Sequence, residues 1–187
     1  MLDIPCVILS GGKSSRMGED KSLLPFKNST LIEYQYKKLS KIFKKVYLSS
    51  KTNKFDFNCD IIYDKNISVS SPMVALESIL ESIDNKVFII GVDIPFVKED
   101  TILKLIENST NFDIVIAKDI NHTHNLCGVY SKSILPIIRE NLKNNNHKIN
   151  NLLKNSSKII NFTDQDQFLN LNNKQQYQKA IEINNIN

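Results

Sequence analysis

The chain has 187 residues, 41% of them hydrophobic and 24% charged, with a formal net charge of +4. These values predict one globular domain over residues 1–187, long enough for a real core. They exclude a membrane span, since no apolar run approaches the roughly 18 residues that one needs, and the mild positive balance suits a small anionic substrate rather than nucleic acid.

Asp3 and Pro5 interrupt the first residues, so no basic-then-apolar leader is read there, and a cytoplasmic location is expected. The three cysteines, Cys6, Cys59 and Cys127, are odd in number and far apart. That pattern fits a reducing compartment and not a disulfide framework.

Along the chain, short apolar runs predict strands at Cys6–Leu9, Lys45–Ser49, Asp60–Tyr63, Val87–Val92, Asp113–Ala117 and Leu126–Tyr130, with a weaker one at Lys158–Phe162. Helical spacing falls between them. Leu31, Tyr34, Leu39 and Ile42 mark a first helix, with Tyr34 and Tyr36 on its packing side. Val74, Ala75, Ile79 and Leu80 mark a second; Ile102, Leu103, Leu105 and Ile106 mark a third. The Asn-rich tail keeps helical spacing at Ile149, Leu152 and Leu153, and again at Tyr177, Ala180 and Ile181. Strands alternating with helices predict an α/β fold: a Rossmann-like three-layer α/β/α domain with a mostly parallel sheet.

In such sheets ligands sit beyond the carboxyl ends of the strands, near a topological switch point. Three polar features fall on that rim. The first is the loop Leu9-Ser10-Gly11-Gly12-Lys13-Ser14-Ser15-Arg16-Met17-Gly18-Glu19-Asp20-Lys21. The second is Asp64, after the third strand. The third is Asp93, after the fourth, where Pro95 stops the strand. Glycine removes the Cβ that would hold a ligand off, so the loop's N–H groups can line a polyphosphate while Arg16 and Lys21 neutralise it. Gly12-Lys13-Ser14 is not a P-loop, because that motif needs a glycine at position 7, which is Val7. The dinucleotide fingerprint fails too, because the glycines fall at 11, 12 and 18.

The pattern Leu9-x-Gly11-Gly12-x-x-x-Arg16-Met17-Gly18-x-x-Lys21 resembles the signature loop of the nucleotidyltransferase superfamily. Further segments resemble its molybdenum cofactor guanylyltransferase branch, the MobA family. Gly91-Val92-Asp93-Ile94-Pro95-Phe96 resembles the family's C-D-x-P-[FY], and Ser71–Leu76 resembles G-P-L-A-G-[LM]. His124–Tyr130 resembles H-P-x-x-G-[VL]-[YF], with Asn125 where proline is usual. Phe168–Asn172 resembles F-x-[ND]-[VIL]-N. Together they span residues 6–172 in the family's order.

The resemblance implies a nucleotide-diphospho-sugar transferase type of fold. It implies transfer of GMP from GTP to the terminal phosphate of molybdopterin, with Mg²⁺ as cofactor and a transient hand-off to other molybdenum cofactor synthesis proteins. Arg16, Lys21 and Asp93 become the catalytic residues, Arg16 on the β- and γ-phosphates, Lys21 between the α-phosphate and the leaving group, and Asp93 on the metal. Leu9, Ser10, Gly11, Gly12, Lys21, Asp64 and Asp93 become the nucleotide site; His124, Asn170 and Asn172 become the acceptor site.

Some alternatives stay open at this level. Asp64 is either a nucleotide contact or a strand-end carboxylate paired with Lys65, and His124 is either a substrate contact or structural. Alternation puts Phe168, Asn170 and Asn172 on one face of an extended segment. Ser71 and Ala75 replace glycines; if a positive φ is needed there, serine costs about 1 kcal/mol. Ser49 or Ser50 stands where the family has an asparagine. His122, His124 and Cys127 lack a fourth ligand for zinc. The rival activities are CMP transfer to molybdopterin, nucleotide transfer to a sugar phosphate, and a catalytically silent nucleotide-binding regulator.

Overall fold

The computed structural model describes residues 1–10, 20–66, 68–69, 71–154 and 156–185. Gly11, Gly12 and Arg16 therefore lie outside the described residues. Nine strands are described: β1 (Cys6–Leu9), β2 (Pro25–Phe26), β3 (Ser29–Thr30), β4 (Val46–Ser50), β5 (Asp60–Tyr63), β6 (Lys86–Gly91), β7 (Ile114–Lys118), β8 (Thr123–Ser131) and β9 (Ser157–Asn161). The helices are α1 (Leu31–Leu39), α2 (Pro72–Ser82), α3 (Glu99–Glu107), α4 (Leu135–Lys143) and α5 (Lys174–Asn185).

Seven strands form one sheet in the order β5-β4-β1-β6-β8-β7-β9, and β2 and β3 form a separate short hairpin. All neighbours in the sheet run parallel except β8, which is antiparallel to both β6 and β7. Alternate residues of each central strand feed two cores. Cys6, Ile8, Phe88, Ile90, Val115 and Val129 join one face, with Leu31, Ile32 and Leu39 of α1 and Ile102 and Leu105 of α3. Val7, Leu9, Val87, Ile89, Ile114 and Ile116 join the other, with Met73, Leu76 and Ile79 of α2 and Ile138 of α4. Burial on both faces explains why the strands read as continuous apolar runs. Each such side chain taken out of water contributes about 1.5–3 kcal/mol.

The helices start where their sequences allow. Thr30 caps α1 by accepting from the Glu33 N–H at 3.4 Å, and Glu33 three residues on completes the sequence pattern of a capping box. Ser71 caps α2, accepting from the Val74 N–H at 3.2 Å, with Pro72 at its first turn. Ser71 has φ −145° and Ala75 lies within α2, so neither replaced glycine needs a positive φ. The expected serine cost is absent. Residues Ile149–Lys154 wind as a 3-10 stretch rather than an α-helix, and α4, which the spacing analysis did not single out, precedes it. No described helix is long and apolar enough to cross a membrane.

Two topological facts build the rim. The chain runs from β1 to β4 and β5 on one side, then returns to β6 on the other side of β1. The crevice between the ends of β1 and β6 is thus the switch point, where ligands bind in open α/β sheets. Because β8 runs the other way, its start lies at the end of β6, with Cys127 opposite Ile90. His124 and Asn125 reach the same rim for that reason.

A bulge shapes β8 there. His124 pairs with Ala117 and Gly128 with Ile116, so Asn125, Leu126 and Cys127 have no opposite residue on β7. Gly128 closes the bulge because a Cβ there would lie 2.1 Å from the Val115 carbonyl oxygen. We expect Gly128→Ala to destabilise the fold by about 2–3 kcal/mol and lower Tm by roughly 4–12 °C. Thermal and urea denaturation check this, and an unchanged midpoint would contradict the close approach.

Candidate active site

Ser10 and Asp20, which flank the undescribed residues 11–19, are both held in place. Ser10 is buried; its N–H donates to the Ser49 carbonyl at 3.1 Å and its hydroxyl donates to the same oxygen at 2.7 Å. Leu9 is buried in the core, and its carbonyl accepts from the Val92 N–H at 3.1 Å. Lys54 links Ser10 to Asp20. Its Nζ lies 3.3 Å from the Ser10 carbonyl and 2.5 Å from Asp20 Oδ2. Asp20 also accepts from the N–H and hydroxyl of Ser22, at 3.0 and 2.7 Å, which starts the short turn carrying Lys21. Burial opposes ionisation of Asp20, but the hydrogen bonds from Lys54 and Ser22 prevail and hold its carboxyl below the usual range.

Lys21 faces inward. Its Nζ donates to Asn172 Oδ1 at 2.6 Å and lies 4.0 Å from Asp93 Oδ2. Asp93 sits in the turn just past β6, and a Cβ on Gly91 would lie 2.6 Å from its Oδ1. The turn is held from three sides. The Leu171 N–H donates to the Asp93 carbonyl at 2.8 Å. Gln35 Nε2 donates to the Gly91 carbonyl at 3.1 Å. Lys38 Nζ donates to the carbonyls of Pro95 and Val97 at 2.9 and 2.6 Å, and its burial lowers its pKa to about 8.

Asp64 lies on the same rim, past β5. Its Oδ1 accepts from the Ser49 hydroxyl at 3.1 Å. Burial raises its pKa, with the Ser49 bond and the Lys51 charge opposing. Lys65 pairs with Glu81 instead, so the alternative of an Asp64–Lys65 pair does not hold. Ser49 thus contacts both Ser10 and Asp64.

The acceptor residues expected from the sequence separate. His124 and Asn170 line a cavity of about 300 Å³ that also touches Asp93, Pro72, Asn125 and His147. His124 stacks on Phe168 with centroids 4.3 Å apart and a 10° tilt, and its Nε2 is 3.0 Å from Asp119 Oδ2. Its ring is therefore fixed before any ligand arrives. Asn172 turns to Lys21 instead, while Leu171 between the two asparagines is buried. Phe168 ends a 3-10 turn, Asp166–Phe168, and is buried in the core. The single extended face expected for Phe168, Asn170 and Asn172 is thus broken at its first member. Cys127 is buried too, and burial raises its pKa to about 12. Among the described residues no group of three or more His, Cys, Asp or Glu could hold a metal ion.

Several of these contributors escaped the sequence reading. Gln35 carries a signal, a polar residue between Leu31 and Leu39 on the core face of α1. Lys54, Asp20 and His147 carry none, because their partners are distant in the chain.

A crevice that gathers charge-neutralising side chains at the switch point suits a nucleotidyltransferase, whose reactants are both anions. Residues 6–159 match the MobA-like NTP transferase domain, and the chain belongs to that family. It is 45% identical over 181 residues, 95% of each chain, to a Campylobacter jejuni protein named molybdenum cofactor guanylyltransferase. A Helicobacter pylori protein of the same name is 35% identical over 189 residues, 97% of this chain and 93% of its own. The fold matches the crystal structure of molybdopterin-guanine dinucleotide biosynthesis protein A from Archaeoglobus fulgidus, with a TM-score of 0.83 at 18% identity, covering 98% of this chain and 100% of that one.

Two variants test the geometry. Gly91→Ala should displace the Asp93 carboxylate rather than backbone. We expect a stability loss of about 1 kcal/mol or less and a fall in turnover of about tenfold or more, read by melting and by pyrophosphate release. Lys54→Met should raise KM for the nucleotide about three- to tenfold, since it frees both ends of the loop at a partly exposed position. An unchanged KM would remove Lys54 from the site.

Proposed function

We propose that the protein transfers GMP from GTP to the terminal phosphate of molybdopterin, forming the guanine dinucleotide form of the cofactor and releasing pyrophosphate. The observation that carries this reading is the meeting of Lys21 with Asn172 and with Asp93, which itself lines the cavity together with His124 and Asn170. The names of the Campylobacter and Helicobacter relatives support the choice of nucleotide and acceptor.

In this reaction an acceptor phosphate oxygen attacks the α-phosphorus of GTP. A new O–P bond forms, and the bond to the bridging oxygen of the β-phosphate breaks. The nucleophile is already an anion, so no general base is required. The barrier lies in bringing two anions together, and alignment and neutralisation are the protein's task. One cation–anion contact at about 4 Å contributes roughly 4 kcal/mol at an effective dielectric near 20, before desolvation is subtracted.

Lys21 supplies such a charge, and Asn172 holds its ammonium to one side of the crevice. Arg16 and the N–H groups of Gly11 and Gly12 are the further phosphate ligands in this reading. Lys54 keeps the ends of their loop in register, and Asp64 borders the nucleotide side. Asp93 fits Mg²⁺: it is a hard oxygen donor, partly exposed, and this ion is commonly held by one or two carboxylates with waters and substrate phosphates completing its shell. Bound there, Mg²⁺ would neutralise the triphosphate and the departing pyrophosphate.

The test incubates pure protein with Mg²⁺, molybdopterin and either GTP or CTP, and follows pyrophosphate and product. Release with GTP is expected. Release with CTP alone would overturn the guanylyl assignment, and tight GTP binding without release would make the protein a regulator. Asp93→Asn should lower turnover at least about a hundredfold while the fold persists. Near-normal turnover in that variant would contradict the metal role.

A further inference from the structure

Asn172 meets Lys21 through its side chain, and its backbone is tied to the first turn of α5. The Asn172 N–H lies 3.0 Å from the Asn170 carbonyl and 3.0 Å from Gln176 Oε1. The Asn170 contact is local and moves with the segment itself. The Gln176 contact anchors that segment to a helix. Asn173 Oδ1 in turn accepts from the Gln176 N–H at 2.9 Å, which starts α5. Asn173 and Gln176 have the spacing of a capping box, but the Gln176 side chain reaches one residue further back than the box requires.

The same turn of α5 makes a second tie. The Tyr177 hydroxyl donates to the Pro25 carbonyl of β2, and Ala180 is buried in the core. The first turn of α5 therefore grips the segment from Lys21 to Pro25 at both ends, at Lys21 through Asn172 and at Pro25 through Tyr177. Both ties start beyond residue 159, where the match to the family's domain ends.

Lysine carries a compact charge on a flexible four-carbon stem, so an unguided ammonium spreads over many rotamers. Here the side chain is only 17% exposed, and its Nζ is 2.6 Å from Asn172 Oδ1. An ammonium has three donors, and one neutral acceptor aims it without cancelling its charge. Ordering the charge before a ligand arrives removes that entropy loss from binding.

We infer that Gln176 is a positioning residue for Lys21, acting through Asn172. In this role it needs no contact with either substrate. The inference rests on the reading of Lys21 as a ligand of the triphosphate.

A double-mutant cycle on GTP affinity, read by calorimetric titration with Mg²⁺ present, tests it. Gln176→Met keeps side-chain length and helix propensity but loses the acceptor. It should weaken GTP binding about three- to tenfold in the wild-type background, and less than about twofold in the Lys21→Met background. An equal loss in both backgrounds would reduce Gln176 to a structural cap and overturn the inference, as would no loss in either. Gln176→Ala carries the same cycle if the Met variant does not fold. Pyrophosphate release is scored separately. Its absence from wild type, with the cycle coupled as expected, would sink the proposed reaction and leave the positioning role standing. Turnover with an additive cycle would do the reverse, and a wild type that does not bind GTP would sink both.

Discussion

When the chain leaves the sheet at Gly91, it carries the carbonyls of Gly91, Asp93, Pro95 and Val97 into positions where the sheet no longer pairs them. A buried carbonyl without a donor costs about 1–3 kcal/mol, so four of them could not be tolerated together. The Ile94 N–H reaches the Gly91 carbonyl locally at 3.4 Å, and the other donors come from two distant segments: Gln35 and Lys38 on α1, and the Leu171 N–H near the C-terminus. Satisfying these groups fixes the turn, and the turn fixes the Asp93 carboxylate. The burial of Lys38 shows how much weight the arrangement carries, since a desolvated ammonium is retained to hold two of the four oxygens.

The same economy links the turn to the rest of the site. The segment that donates from Leu171 also presents Asn170 to the cavity and Asn172 to Lys21. Lys21 in turn follows Asp20, which Lys54 ties to Ser10 at the end of β1. One connected set of hydrogen bonds therefore joins the first strand, α1, the turn after β6 and the C-terminal segment around the crevice. Such a network holds charged groups in place before a ligand binds, which is what a reaction between two anions requires.

Much of this was legible beforehand. Cys6–Leu9 and Asp60–Tyr63 are strands with the bounds expected, because a buried strand must be apolar on both faces. Four of the other strands slide by one residue at both ends, and β8 starts three residues early, at Thr123, and ends one residue late, at Ser131. Its early residues are polar because they face the cavity, so hydrophobicity alone misses them. Asp93 and Lys21 were marked by position and by pattern. Asn172 was marked as well, but its contact with Lys21 joins residues 151 positions apart and has no local signature. The glycine positions replaced by Ser71 and Ala75 proved to need no left-handed backbone, because the segment is a helix start.

The sequence by itself determined the alternation of strands and helices, the class of sheet and the polar residues at the strand ends, because periodicity and turn chemistry act over a few residues. The glycine loop and the family resemblance were likewise legible in the chain. Only the tertiary structure decided that β8 runs antiparallel, and so which rim receives His124 and Asn125. It alone decided that Lys54 links Ser10 to Asp20, and that Gln35 and Lys38 hold the Asp93 turn. Those outcomes depend on long-range pairing and on satisfying buried polar groups, and neither leaves a pattern along the chain.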